Sequence, residues 1–118
     1  MQALKLDFYS EKDKKMLIDF AENLKSIPKI DYNQYLSEVC NLGGEIIMAV
    51  SGDKCVGILS LRNESRLSNK NHQNSIIVKD FYVTKDIVKS KIASNKLFNY
   101  VIGLSEEKSS ELLIDNII

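Results

Sequence analysis

Residues Ile76 to Val83 read IIVKDFYV. β-Branched and aromatic side chains at that density favour a strand. The polar stretch Thr84 to Val88 reads as a short turn, and Lys89 to about Lys108 is amphipathic at helical spacing. Glu111 to Ile118 then returns to strand-forming residues. A strand, turn, helix and strand in succession admit two uses. The unit is plain scaffold, with Ile92, Leu97, Val101 and Leu104 (Phe98 and Ile102 alongside) as a stripe that packs on a sheet. Alternatively, the helix N-terminus presents its free N–H groups to an anion. Pattern alone leaves both open.

Upstream, Ala3 to Tyr9 alternates Leu4, Leu6 and Phe8 with Lys5 and Asp7, as a half-buried strand does. Ser10-Glu11-Lys12-Asp13 resembles a capping box with Asp for Glu. Met16, Leu17, Phe20, Ala21 and Leu24 share one face of the helix expected from about Glu11 to Ser26, which Pro28 ends. Asp31 restarts a helix whose stripe is Tyr32, Tyr35, Leu36 and Val39, and Gly43-Gly44 stops it. Glu45–Val50 and Lys54–Leu61 flank Ser51-Gly52-Asp53 as a hairpin, and Gly57 marks a bulge or a close backbone approach. Arg62 to Asn74 is polar and reads as a long exposed loop containing His72, the sole histidine and an incidental one. The order is β-α-α-β-β-β-α-β, an α+β or mixed-sheet α/β domain. It spans residues 1–118 as one unit, with no internal repeat or composition break.

Sixteen basic and sixteen acidic side chains cancel, so no global field attracts nucleic acid or an anionic membrane. Apolar runs such as Ile46–Val50 are far too short to span a bilayer, and the N-terminus has no secretory pattern. Cys40 and Cys55 lack metal-ligand spacing and sit beside apolar residues. They read as buried, reduced thiols of a cytoplasmic protein, and no metal is expected.

The element order resembles the GNAT superfamily, the acyl-CoA-dependent N-acetyltransferases. Val78-Lys79-Asp80-Phe81-Tyr82-Val83 is similar to that family's fourth strand, commonly I-E-D-L-Y-V. The opening from Leu4 through Asp13 to Leu17 resembles the family's start, and Val56-Gly57-Ile58 its V-G-x at the third strand. The resemblance covers nearly the whole chain in element order and is specific only in these short stretches.

What it implies is transfer of an acetyl group from acetyl-CoA to a small-molecule or peptide amine. The backbone of Phe81, Tyr82 and Val83 would pair with pantetheine. The helix N-terminus at Lys89, Ser90, Lys91, Ile92, Ala93 and Ser94 would face the pyrophosphate. Asp80 is the acidic residue on the strand and the candidate base for the amine, since only a neutral amine attacks a thioester. Strict alternation puts Asp80 on the face of Val78 and Tyr82. Its plainer reading is a surface carboxylate paired with Lys79 or Lys85. Tyr32 and Tyr35 either line an acceptor pocket or belong to the core.

Two departures qualify the resemblance. The family's R/Q-x-x-G-x-G/A loop falls here on Val88, Lys91 and Ala93, or one residue later on Lys89, Ile92 and Ser94. The first glycine, whose missing Cβ admits the pyrophosphate, is absent in either register. Family members also continue past the fifth strand through a helix and two more strands, often with a tyrosine that protonates the leaving thiolate. Here Asn116 is the nearest candidate. The resemblance thus implies a fragment, a partner that completes the sheet, or a protein that works differently. A non-catalytic GNAT-like module for dimerisation or partner binding is the alternative function. The apolar strand Glu111–Ile117 is expected to pair with a second copy or another chain.

Overall fold

The computed structural model describes residues 1–24, 31–68 and 71–114. The expected helix end at Pro28 lies outside the described residues. Each helix begins where a side chain satisfies a free N–H. Ser10 Oγ accepts from Asp13 N–H at 3.2 Å and opens α1 (Glu11–Asn23). The Asp13 carboxylate does not close a capping box; it accepts from Asp7 N–H at 2.9 Å, while Asp7 Oδ1 accepts from Tyr9 N–H at 2.9 Å. That turn cuts the first strand back to β1 (Gln2–Lys5), short of the Tyr9 expected. Leu6 still reaches the sheet, donating its N–H to Ile46 C=O at 2.7 Å. Asp31 Oδ1 accepts from Asn33 and Gln34 N–H and starts α2 (Tyr32–Asn41). Gly43, at φ +71°, turns the chain after it.

Four further strands and one long helix follow: β2 (Gly44–Ser51), β3 (Lys54–Ser68), β4 (Asn71–Val83), α3 (Ile87–Glu107) and β5 (Glu111–Ile114). The β-α-α-β-β-β-α-β order is the one expected. All five strands form one sheet in sequence order, antiparallel except for the parallel β4–β5 pair. Leu17, Phe20, Leu24 and Leu36 cover one face with Ile46, Met48 and Ile58. Ala93, Leu97 and Val101 cover the other with Ile47, Leu59, Ile76 and Val78. The α3 stripe is thus Ala93, Leu97 and Val101, spaced four apart. Ile92 and Ile102, expected within it, are each 43% exposed.

The loop expected over Arg62–Asn74 is strand at Arg62–Ser68 and at Asn71–Asn74. β3 and β4 remain in register through Arg62↔Ile77 and Glu64↔Ser75 out to Ser68↔Asn71. Beyond the helices this hairpin arm has little core to face, so backbone pairing holds it and no hydrophobic alternation marks it in the sequence. His72 lies on β4 opposite Leu67. Cys55 is buried as expected; Cys40, next to last in α2, is exposed.

Gly57 meets both of its expectations. Ala49 pairs with Gly57 and Val50 with Cys55, so Val56 is the extra residue of a bulge. A Cβ on Gly57 would come within 3.2 Å of Leu97 Cδ1 and Val83 Cγ1. At Gly44 it would meet Leu61 C=O at 2.8 Å and Val39 Cγ1 at 2.9 Å. Backbone yields less readily than a side-chain end. Gly44→Ala is therefore expected to lower unfolding free energy by about 2–3 kcal/mol and Gly57→Ala by about 1 kcal/mol, read from urea midpoints.

Candidate functional site

The site is made by one extra residue. Ser60 pairs with Asp80 and Leu61 with Val78, which leaves Lys79 as a bulge in β4. Simple alternation would set Asp80 on the face of Ile76 and Val78, inside the core beneath α3. The bulge reverses the faces. Phe81 and Val83 join Ile76 and Val78 against α3, with the Phe81 and Phe98 rings 5.0 Å apart. Tyr82 packs with the α1 and α2 core. Asp80 turns to the same side, toward α2. It therefore shares a face with Tyr82 as expected, but not with Val78.

There Asp80 Oδ2 accepts two hydrogen bonds, from Tyr35 OH at 2.9 Å and from Ser60 Oγ at 2.6 Å. Its Oδ1 has no hydrogen bond among the described residues. Tyr35 is thus neither purely core nor purely lining, since its ring packs on the α1–α2 core while its hydroxyl holds the carboxylate. Ser60, 2% exposed within the apolar run Ile58–Leu61, was legible as a buried hydroxyl in need of a partner, though not which one.

Asp80 lies in a cleft of about 200 Å³ between α2 and the β3–β4 pair. Val39 and Leu42 supply its apolar wall; Glu38, Arg62, Lys79 and Asp80 supply its charge. Arg62 Nη2 is bonded to Glu64. Arg62 Nε is buried with no hydrogen-bond partner, the one such side-chain nitrogen or oxygen among the described residues. An unmet donor of this kind costs about 1–3 kcal/mol.

Beyond Val78 the side of β4 away from β3 has no strand beside it among the described residues, because the β5 register ends at Val78↔Ile114. Phe81, Tyr82 and Val83 commit their side chains to the two cores and leave backbone along that edge. An extended amide-bearing chain fits such an edge.

The N-terminus of α3 is different. The helix begins at Ile87, two residues before the expected start, and Asp86 caps it by accepting from Lys89 N–H at 3.0 Å. A carboxylate of the chain itself occupies the place a phosphate would take. Asp19 and Asp53 line the adjoining cleft together with Asp86, Lys54 and Lys89. Of the residues expected to face pyrophosphate, Lys89 and Ser90 lie in the first turn. The N–H groups of Lys91, Ile92, Ala93 and Ser94 fall within the helical ladder. Ala93 is fully buried against the sheet. Lys89, Lys91 and Ile92 are exposed, and the Asp86 carboxylate that caps this N-terminus opposes an incoming anion.

Burial, and then the negative charge of Asp80, push the Tyr35 hydroxyl above its ordinary value. Burial pushes the Cys55 thiol up to about 12. Both groups hold their protons more tightly in the folded chain. Their contribution is intact below about pH 9 and is lost as pH rises toward the folded values. Stability is expected to fall above about pH 9, at up to ~1.4 kcal/mol per pH unit for each group. Urea titrations between about pH 8 and 11 check this. Cys55→Ala should remove the earlier part of the decline and Tyr35→Phe the part above about pH 10.

Sequence comparison finds no matching family model and no matching curated protein. Solved structures do match. A probable acetyltransferase superposes at TM-score 0.75 with 12% identity, covering 100% of this chain and 80% of its own. An aminoglycoside acetyltransferase from an uncultured soil metagenomic sample, in complex with trehalose, gives 0.74 at 17% identity, covering 98% and 77%. A ribosomal-protein-alanine N-acetyltransferase from Brucella melitensis biovar Abortus 2308 gives 0.69 at 16%, covering 99% and 81%. At such low identity the agreement is one of backbone architecture, and on that ground the chain has the GNAT acetyltransferase fold.

Proposed function

We propose that the chain transfers an acyl group from a thioester to an amine, with Asp80 holding the acceptor and taking its proton. The observation that carries this reading is the bulge at Lys79, which brings a hydroxyl-held carboxylate into a cleft beside the open edge of β4. An ammonium ion entering the cleft meets Asp80 Oδ1, while Tyr35 and Ser60 keep the carboxylate in place through Oδ2. Once Asp80 or a water takes the proton, the amine nitrogen attacks the thioester carbonyl carbon. A C–N bond forms, the C–S bond breaks, the nitrogen gives up its second proton to solvent as the amide forms, and the thiolate leaves to be protonated by solvent.

The structural neighbours named as acetyltransferases support acetyl-CoA as donor. The backbone edge at Phe81, Tyr82 and Val83 would align its pantetheine arm. The Asp86 cap opposes its pyrophosphate, so the nucleotide end is expected to add little affinity. Such chemistry suits the cytoplasm, where acyl thioesters are made. No helix among the described residues is long and apolar enough to cross a membrane. The same Asp86 cap favours the alternative, a GNAT-like module that has kept the fold for dimerisation or partner binding without catalysis.

Thiol release from acetyl-CoA over a panel of small amines separates the two readings. Turnover is expected, with Asp80→Asn lowering kcat about 10²–10⁴-fold while the chain stays folded. Absence of turnover with every amine would favour the module. Asp86→Asn keeps a capping oxygen and removes the charge, so calorimetry should show CoA bound about 2- to 5-fold more tightly.

A further inference from the structure

We propose that the acceptor carries its own carboxylate: the cleft is built for a small α-amino acid, with its ammonium at Asp80 and its carboxylate on Arg62. This rests on the reading of Asp80 as the amine site. Arg62 follows Ser60 by two residues on β3, so both side chains lie on the same face of the sheet, and Ser60 is the cross-strand partner of Asp80. A cation and an anion therefore line one cleft of about 200 Å³ along a short diagonal of the sheet.

The charges are not equivalent to a closed ion pair. Asp80 is held through Oδ2 by two hydroxyls, and Arg62 is held through Nη2 by Glu64. Asp80 keeps Oδ1 unspent, and Arg62, bonded to Glu64 through Nη2, keeps further guanidinium N–H groups on a side chain that is 34% exposed and lines the cleft. Nε is buried and takes no part; an anionic oxygen delivered by the ligand pairs with the exposed part of the guanidinium. The remaining charged residues of the cleft fit the same assignment. Glu38 is already bonded by Gln34 Nε2 at 3.2 Å, and Lys79 adds a second positive group on the rim. Val39 and Leu42 leave room beside them for an apolar side chain.

Three probes of matched shape test the assignment on the unaltered protein by calorimetry. They are L-leucine, L-leucinamide and 3-methylbutylamine, at about pH 6.5, where the amines are protonated. L-Leucine is expected to bind at least ~10-fold more tightly than either of the others. Arg62→Met should erase that advantage, with the loss of affinity falling on L-leucine and not on 3-methylbutylamine, and Asp80→Asn should weaken all three. Equal binding of the three probes to the unaltered protein would overturn the carboxylate contact and leave the amine site standing. Preference for L-leucine that survives Arg62→Met would overturn it as well. Failure of all three to bind, or binding indifferent to Asp80→Asn, would remove the amine site and with it the proposed function.

Discussion

The bulge at Lys79 is the constraint on which the candidate site depends. β4 lies between β3 and β5, paired along its length with β3 and over Ser75–Val78 with β5. Its residues must serve two cores. Without the extra residue, Asp80 would be driven under α3 and Phe81 and Val83 would leave that core, an arrangement that buries a carboxylate among apolar side chains. With it, apolar residues stay under α3 on both sides of the bulge, and the acid emerges where Tyr35 and Ser60 can bond it. Packing and site geometry are satisfied by one irregularity, so neither can be changed without the other.

A second bulge, at Val56 on β3, works alongside it. Val56 packs on the α3 side and a Cβ on Gly57 would meet Ala93 and Leu97, which is why glycine stands there. The close approach lets Ala93, deep in the first half of α3, press against the sheet. A residue held so tightly cannot also belong to a loop that moves aside for a ligand. The packing of Ala93 against the sheet and the absence of glycine from residues 88–94 go together, at a helix N-terminus capped by Asp86.

Much of the architecture was legible because it rests on local rules. Ser10 and Asp31 begin helices, Gly43 ends one, Gly52 turns a hairpin, and Leu17, Phe20 and Leu24 fall on one face. The errors share a cause. Alternation is a rule for regular strands, and a one-residue bulge inverts it with no mark in the sequence, so Asp80 was assigned to the face of Val78. Pairing of polar strands beyond the core leaves no hydrophobic pattern, so the outer arm of β3 and β4 read as a loop. The Tyr35–Asp80 bond spans 45 residues and depends on the angle of α2 across the sheet, which no local pattern encodes.

The two ends of the candidate site make unequal demands on the sequence. Recognition of an extended thiol arm by a strand edge uses backbone groups, which survive almost any substitution on the strand. Recognition of a pyrophosphate at a helix N-terminus needs bare backbone, and a single acidic cap reverses its sign. The acceptor cleft depends on side chains from three elements in register, Tyr35, Ser60 and Asp80, and a drifting sequence would lose such an arrangement early. That arrangement stands beside a helix N-terminus capped by Asp86, so in the proposed reaction the grip on the acceptor counts for more than the grip on the nucleotide.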